Sequence, residues 1–122
     1  ASSKILVAVH LGRVGPNVAG GGTVAVRLMR GATVIGAGTP SGSQLATSFV
    51  STGNSNSNYV HGSQSTQFLD SPNTTSAITY SVQAVGESNI LVYFNRSYTG
   101  GTAATTYEAA SASTITLMEI AA

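Results

Sequence analysis

Few residues in this chain could do covalent or metal chemistry: two histidines, His10 and His61, and four carboxylates, Asp70, Glu87, Glu108 and Glu119. They are scattered. His10 falls inside an apolar, strand-like run and reads as a packed or hydrogen-bonded histidine, while His61 follows an Asn/Ser tract and reads as exposed. Neither lies at a metal-ligand spacing from an acid, so a metal site would need several copies of the chain gathered around an axis. Glycan hydrolysis wants two carboxyl groups roughly 5–10 Å apart. Asp70 instead reads as an Asx-type turn residue, Glu87 as a hairpin cap, and Glu108 and Glu119 as strand-flanking. The many serines lack a Gly-x-Ser-x-Gly elbow. The Gly20-Gly21-Gly22 run lacks the Lys-Ser/Thr of a phosphate-binding loop. With no cysteine, thiolate and disulfide chemistry are excluded. The expectation is a protein without catalytic residues, metal or cofactor.

Binding is a better use of these residue types. The tract STGNSNSN, residues 51–58, is wholly polar and too long for a tight turn. It presents Asn54, Asn56 and Asn58 beside Tyr59 and His61, and Tyr98 falls in a second turn region. A tyrosine ring to stack on, with amides to hydrogen-bond, suits a carbohydrate or protein contact. These six are the receptor-binding candidates. Alternatively, Tyr59, Tyr98 and Tyr107 cover the ends of the fold as satellite core. Arg27 and Arg30 are expected on an outward, solvated face. Asn73-Thr74-Thr75 and Asn95-Arg96-Ser97 match the glycosylation acceptor pattern but read as turn and strand-end chemistry.

The elements that must carry these residues follow from composition and period. The chain has 122 residues, one domain's worth, with 42% hydrophobic and only 7% charged residues. Ser, Thr, Asn and Gly take the polar positions, so the expected surface is one of hydroxyls and amides. A net charge of +1 gives no attraction for nucleic acid or an anionic membrane. No apolar run approaches the roughly 18–20 residues that span a bilayer. No signal peptide is expected, and a start at Ala1 without methionine reads as a processed or excised piece of a longer protein.

Residues 76–84 alternate cleanly, with Ile78, Tyr80 and Val82 on one face and Thr79, Ser81 and Gln83 on the other. Residues 85–89 read as a hairpin connection into 90–94, an apolar strand covered on both sides or placed at a subunit contact. Further strands are expected at 5–11, 23–30, 33–35, 45–50, within 59–69, loosely at 102–110, and at 113–120. Residues 12–22 and 36–43 read as Gly-rich loops. Arg30-Gly31-Ala32 reads as a tight turn making a hairpin of 23–30 and 33–35. Asp70-Ser71-Pro72-Asn73 reads as a turn with Pro at a favoured position. The last strand, apolar on both faces, is expected in the middle of a sheet. No 3.6-residue period persists, so helix should be scarce. About eight to ten short strands with long connections imply an all-β antiparallel β-sandwich, a jelly-roll rather than a meander.

Three runs, LDSPNTTSAITYSVQ, VYFNRS and STITLMEIA, with RLMRGATVIGAGTPSG upstream, resemble the C-terminal domain of tailed-bacteriophage fibre and related virion proteins. The likeness spans Val24 to the C-terminus and contains no catalytic signature. It implies a jelly-roll or tumour-necrosis-factor-like sandwich, usually a homotrimer, displayed on a virion and contacting other virion proteins and a glycan or protein of the host surface. Two alternatives are a capsid decoration or fibre-adaptor protein and a stand-alone carbohydrate-binding module.

Overall fold

A computed structural model describes residues 3–16, 22–52, 62–86, 90–96 and 109–121. The described residues form an all-β sandwich of two antiparallel sheets. Its strands are β1 (Lys4–Pro16), β2 (Thr23–Arg30), β3 (Thr33–Ile35), β4 (Phe49–Thr52), β5 (Gly62–Asp70), β6 (Tyr80–Gly86), β7 (Val92–Phe94) and β8 (Thr114–Ile120). The expected strand over 102–110 falls largely outside the described residues, and 109–110 are not in a strand.

Each sheet is built on one central strand, and the two are organised alike. In the first sheet β1 pairs along one edge with β5; its other edge is shared by β8 (opposite Lys4 to His10) and β7 (opposite Val14 to Pro16). In the second, β2 pairs along one edge with β6, and its other edge is shared by β4 and β3. The alternating valines of the central strands face each other. Val7, Val9, Leu11 and Val14 meet Val24, Val26 and Leu28, with Ile35 completing the buried cluster.

Where one flanking strand ends and the next begins, β1 and β2 each leave a backbone amide without a ladder partner. A serine fills both gaps. Ser48 Oγ accepts from Leu28 N (2.9 Å) and donates to Ile35 O (3.3 Å), bridging β2 to the end of β3 just ahead of β4. In the first sheet Gly12 N donates to Ser113 Oγ (3.1 Å), which donates to Asn95 Oδ1 (2.5 Å), linking the start of β8 to the end of β7. A buried amide must find such a partner, and a hydroxyl can accept and donate at once. Gly12 permits the approach: a Cβ there would collide with Ala112 O and lie 2.8 Å from Ser111 Cβ.

Several sequence expectations are corrected. Residues 76–84 and 90–94 do not form a hairpin: β6 pairs with β2 and β7 with β1, in opposite sheets. Ile90 O lies 3.0 Å from where a Cβ on Gly86 would sit, and β7, which follows Ile90, belongs to the other layer. Nor is the expected 90–94 strand covered on both sides within the chain, since Phe94 of β7 is 39% exposed and Leu91 just before it 61%. Strand β8 is at a sheet edge, paired with β1, rather than in the middle. The loop expected from Gly12 begins later, because β1 continues through an irregularity between Leu11 and Val14 that keeps Val14 buried. In the 45–50 segment Leu45 is exposed and the strand begins only at Phe49.

Of the expected turns, the one at Gly31 matches. β2 and β3 form the hairpin, with Gly31 supplying φ +55 at the first corner position, as a type II′ turn requires. The turn expected over Asp70–Asn73 is displaced: Asn73, following Pro72, takes φ +51, but the chain bends at Thr75–Ser76, where Ser76 N donates to Thr74 Oγ1 at 3.1 Å.

Candidate interaction surfaces

Asn54, Asn56, Asn58, Tyr59, His61 and Tyr98 lie outside the described residues. His10 is exposed on the outer surface of the first sheet, and its Nδ1 is hydrogen-bonded to Ser65 Oγ at 2.9 Å, across the β1–β5 pair. Among the described residues, no three of His, Cys, Asp and Glu come together as a metal site would require, and no helix is long and apolar enough to cross a membrane.

The polar constellation that the structure does assemble was not legible as such in the sequence. Asp70, expected as a simple turn residue, ends β5 and is only 5% exposed. Arg30, expected in solvent, ends β2 and turns onto it: its Nη1 donates to Oδ1 at 2.8 Å and Oδ2 at 3.0 Å. The Tyr80 hydroxyl, at the start of β6, donates to Oδ2 at 2.7 Å. One carboxylate thus ties its own sheet to two strands of the other. Burial, then the hydrogen bond to Asp70 and its negative charge, push the Tyr80 phenol up to about 12, against the opposing effect of Arg30. Three of the roughly four acceptor sites of this carboxylate are taken up within the fold. It works as a clamp. The clue in the sequence was that two ionic residues of a chain with 7% charge, Arg30 and Asp70, each end an apolar strand run.

Other side chains of the candidate segments are also used internally. Arg27, on the outer face of β2, donates from Nε to Gln83 Oε1 at 3.1 Å across the pair with β6. Arg96 lies 4.4 Å from the centroid of the Tyr93 ring, a cation–π contact within the NRS turn. Asn95 takes φ +61, donates from its backbone N–H to Arg13 O at 2.9 Å and accepts from Ser113. Asn95 and Arg96 lie at the bend that follows β7, and Ser97 lies outside the described residues.

Two of the open clefts among the described residues bear on binding. On the outer face of the second sheet, Leu45 and Val85 wall a shallow cleft of about 320 Å³ floored by Ala25 and Ala84. Along the flank between the sheets, a cleft of about 460 Å³ has Ile5, Ile78, Tyr80 and Leu117 as its apolar lining and Thr74, Thr75, Ser76 and Glu119 at its polar margin. It adjoins β8, every residue of which is exposed. No protein-family model, curated protein or solved structure matches the chain.

Proposed function

We propose that the chain is a non-enzymatic attachment domain of a bacteriophage virion, the distal part of a tail fibre or spike, assembled as a homotrimer. The observation that carries this reading is that the runs that resemble fibre C-terminal domains supply joints of this fold. Asp70 and Tyr80 of the first run make the clamp, Asn95 of the second run takes the hydrogen bond that closes the gap in the first sheet, and the third contains β8. Motifs that hold a sandwich together are consistent with a shared architecture. The finer likeness to a jelly-roll belongs to the same proposal. Attachment would use loops rich in Asn, Ser and Tyr around Tyr59 and Tyr98, each contact weak and multiplied by the copies in the assembly.

The test is binding of the labelled full chain to intact bacteria across a panel of strains, with competition against phage adsorption. Saturable binding to particular strains, weakened at least tenfold in Tyr59→Ala, is expected. Absence of binding to every strain, with no competition, would remove the attachment role.

A further inference from the structure

Strand β8 carries apolar side chains on both faces, and the fold leaves both open. Its register with β1 sorts them. Met118 and Ile120 stand opposite Leu6 and Lys4 on the outer surface of the first sheet, with Leu69 across β1. Ile115 and Leu117 stand opposite Val9 and Val7, on the side that faces the second sheet. Val7 and Val9 are 0% and 3% exposed, whereas Ile115 is 43% and Leu117 50% exposed. Over β8 the facing layer leaves the 460 Å³ cleft instead of a cover. On the outer side Met118 is 56%, Ile120 42% and Leu69 44% exposed. Against edge pairing the strand TITLMEI carries one inward-side charge, Glu119, and no Pro or Lys.

Charge decides what covers these faces. Lys4 is exposed on the outer side beside Ile120, and Glu119 is exposed on the inner side beside Leu117. Among the described residues the ion pair present is Arg30–Asp70, so both of these charges are left over. Outer face against outer face would bring two Lys4 groups together and leave Ile115 and Leu117 wet. Outer face on inner face covers both apolar sets and brings Lys4 of one copy toward Glu119 of the next.

We infer that β8 is the contact between copies of this chain, the outer face of one β8 seating on the inner face of the next. The neighbour's β8 then supplies the layer missing over Ile115 and Leu117. Such a contact is heterologous: repetition gives a ring where the rotation between copies closes and an open filament where it does not. The five apolar side chains bring on the order of 500 Å² to each contact, below the ~1,200 Å² of a stable pair. A lone pair is therefore weak, and a ring, in which each copy is held twice, is the stable form. The contact rests on the structure alone; only the number three rests on the fibre reading.

Sedimentation of the full chain across micromolar concentrations tests it. The wild type should run as a closed oligomer. Leu117→Lys, on the inner face, and Met118→Lys, on the outer, should each give single chains with unchanged circular dichroism and a melting temperature that no longer depends on concentration. Leu45→Lys, equally exposed but away from β8, should keep the wild-type mass. Glu119→Lys should weaken assembly by about tenfold, and adding Lys4→Glu to it should restore assembly. A single-chain wild type at every concentration, full assembly by both β8 lysine variants, or a charge swap weaker than Glu119→Lys alone would overturn the contact. An oligomer that behaves as expected yet binds no cells would sink the attachment role and leave the contact standing.

Discussion

Asp70 holds more of this molecule together than any other polar residue described. Its carboxylate is 6% exposed and takes Arg30 and Tyr80, so removing it strands a guanidinium and a phenol at the joint between the sheets. Breaking a buried pair from one side is strongly destabilising, and with Arg30 still 29% exposed the lower end applies. Asp70→Ala should therefore lower the unfolding free energy by about 3 kcal/mol, read from urea denaturation. Tyr80 gives the clamp a pH signature. Its pKa is raised from 10.0 to about 12 in the folded chain. Between those values the unfolded chain has lost the phenolic proton that the folded chain retains, so stability falls as pH rises through this window. Below pH 10 the contribution is complete. Alkaline denaturation should show a steeper loss of stability from pH 10 to 12 in the wild type than in Tyr80→Phe. Absorbance titration should find one late phenol near pH 12 that the variant lacks.

At the scale of elements, the sheets depend on serines where their flanking strands are interrupted. Ser48→Ala leaves Leu28 N without its acceptor, and Ser113→Ala does the same to Gly12 N. Each should cost about 1–2 kcal/mol, the penalty for an unsatisfied buried amide, and each should speed hydrogen exchange at that amide first. Glycines divide by surroundings. Gly31 at φ +55 has open space around its missing Cβ, so Gly31→Ala should cost backbone strain alone, about 1–3 kcal/mol. Gly36 at φ +58 has Phe68 Cγ 2.9 Å from the same position. Gly36→Ala therefore adds a clash to the strain and should lower the melting temperature well beyond the Gly31 variant.

At the scale of the whole molecule, low charge is the governing property. Four acidic and five basic residues cover 122 positions, and two of them, Arg30 and Asp70, are spent inside the clamp. If attachment runs through hydroxyls, amides and rings, cell binding by the full chain should change less than about threefold between 50 and 500 mM salt, where a charge-steered contact would collapse. Assembly through β8, with one charge pair per contact, should weaken with salt only slightly.

Strand positions and inward faces were readable from the residues, because alternation is a local property: a β-branched run with period two declares which side chains seek the core. Gly31 likewise announced its turn through a φ preference that belongs to a single residue. Partner choice is different. Backbone hydrogen bonds carry no residue label, so any strand can pair with any other, and sequence nearness wrongly joined 76–84 to 90–94. The tertiary structure sent those two strands to opposite layers, placed β8 at an edge with both faces open, and brought Arg30, Asp70 and Tyr80 from three strands onto one carboxylate. Each outcome depends on how two sheets stack, and stacking is settled by long-range burial that no local pattern encodes.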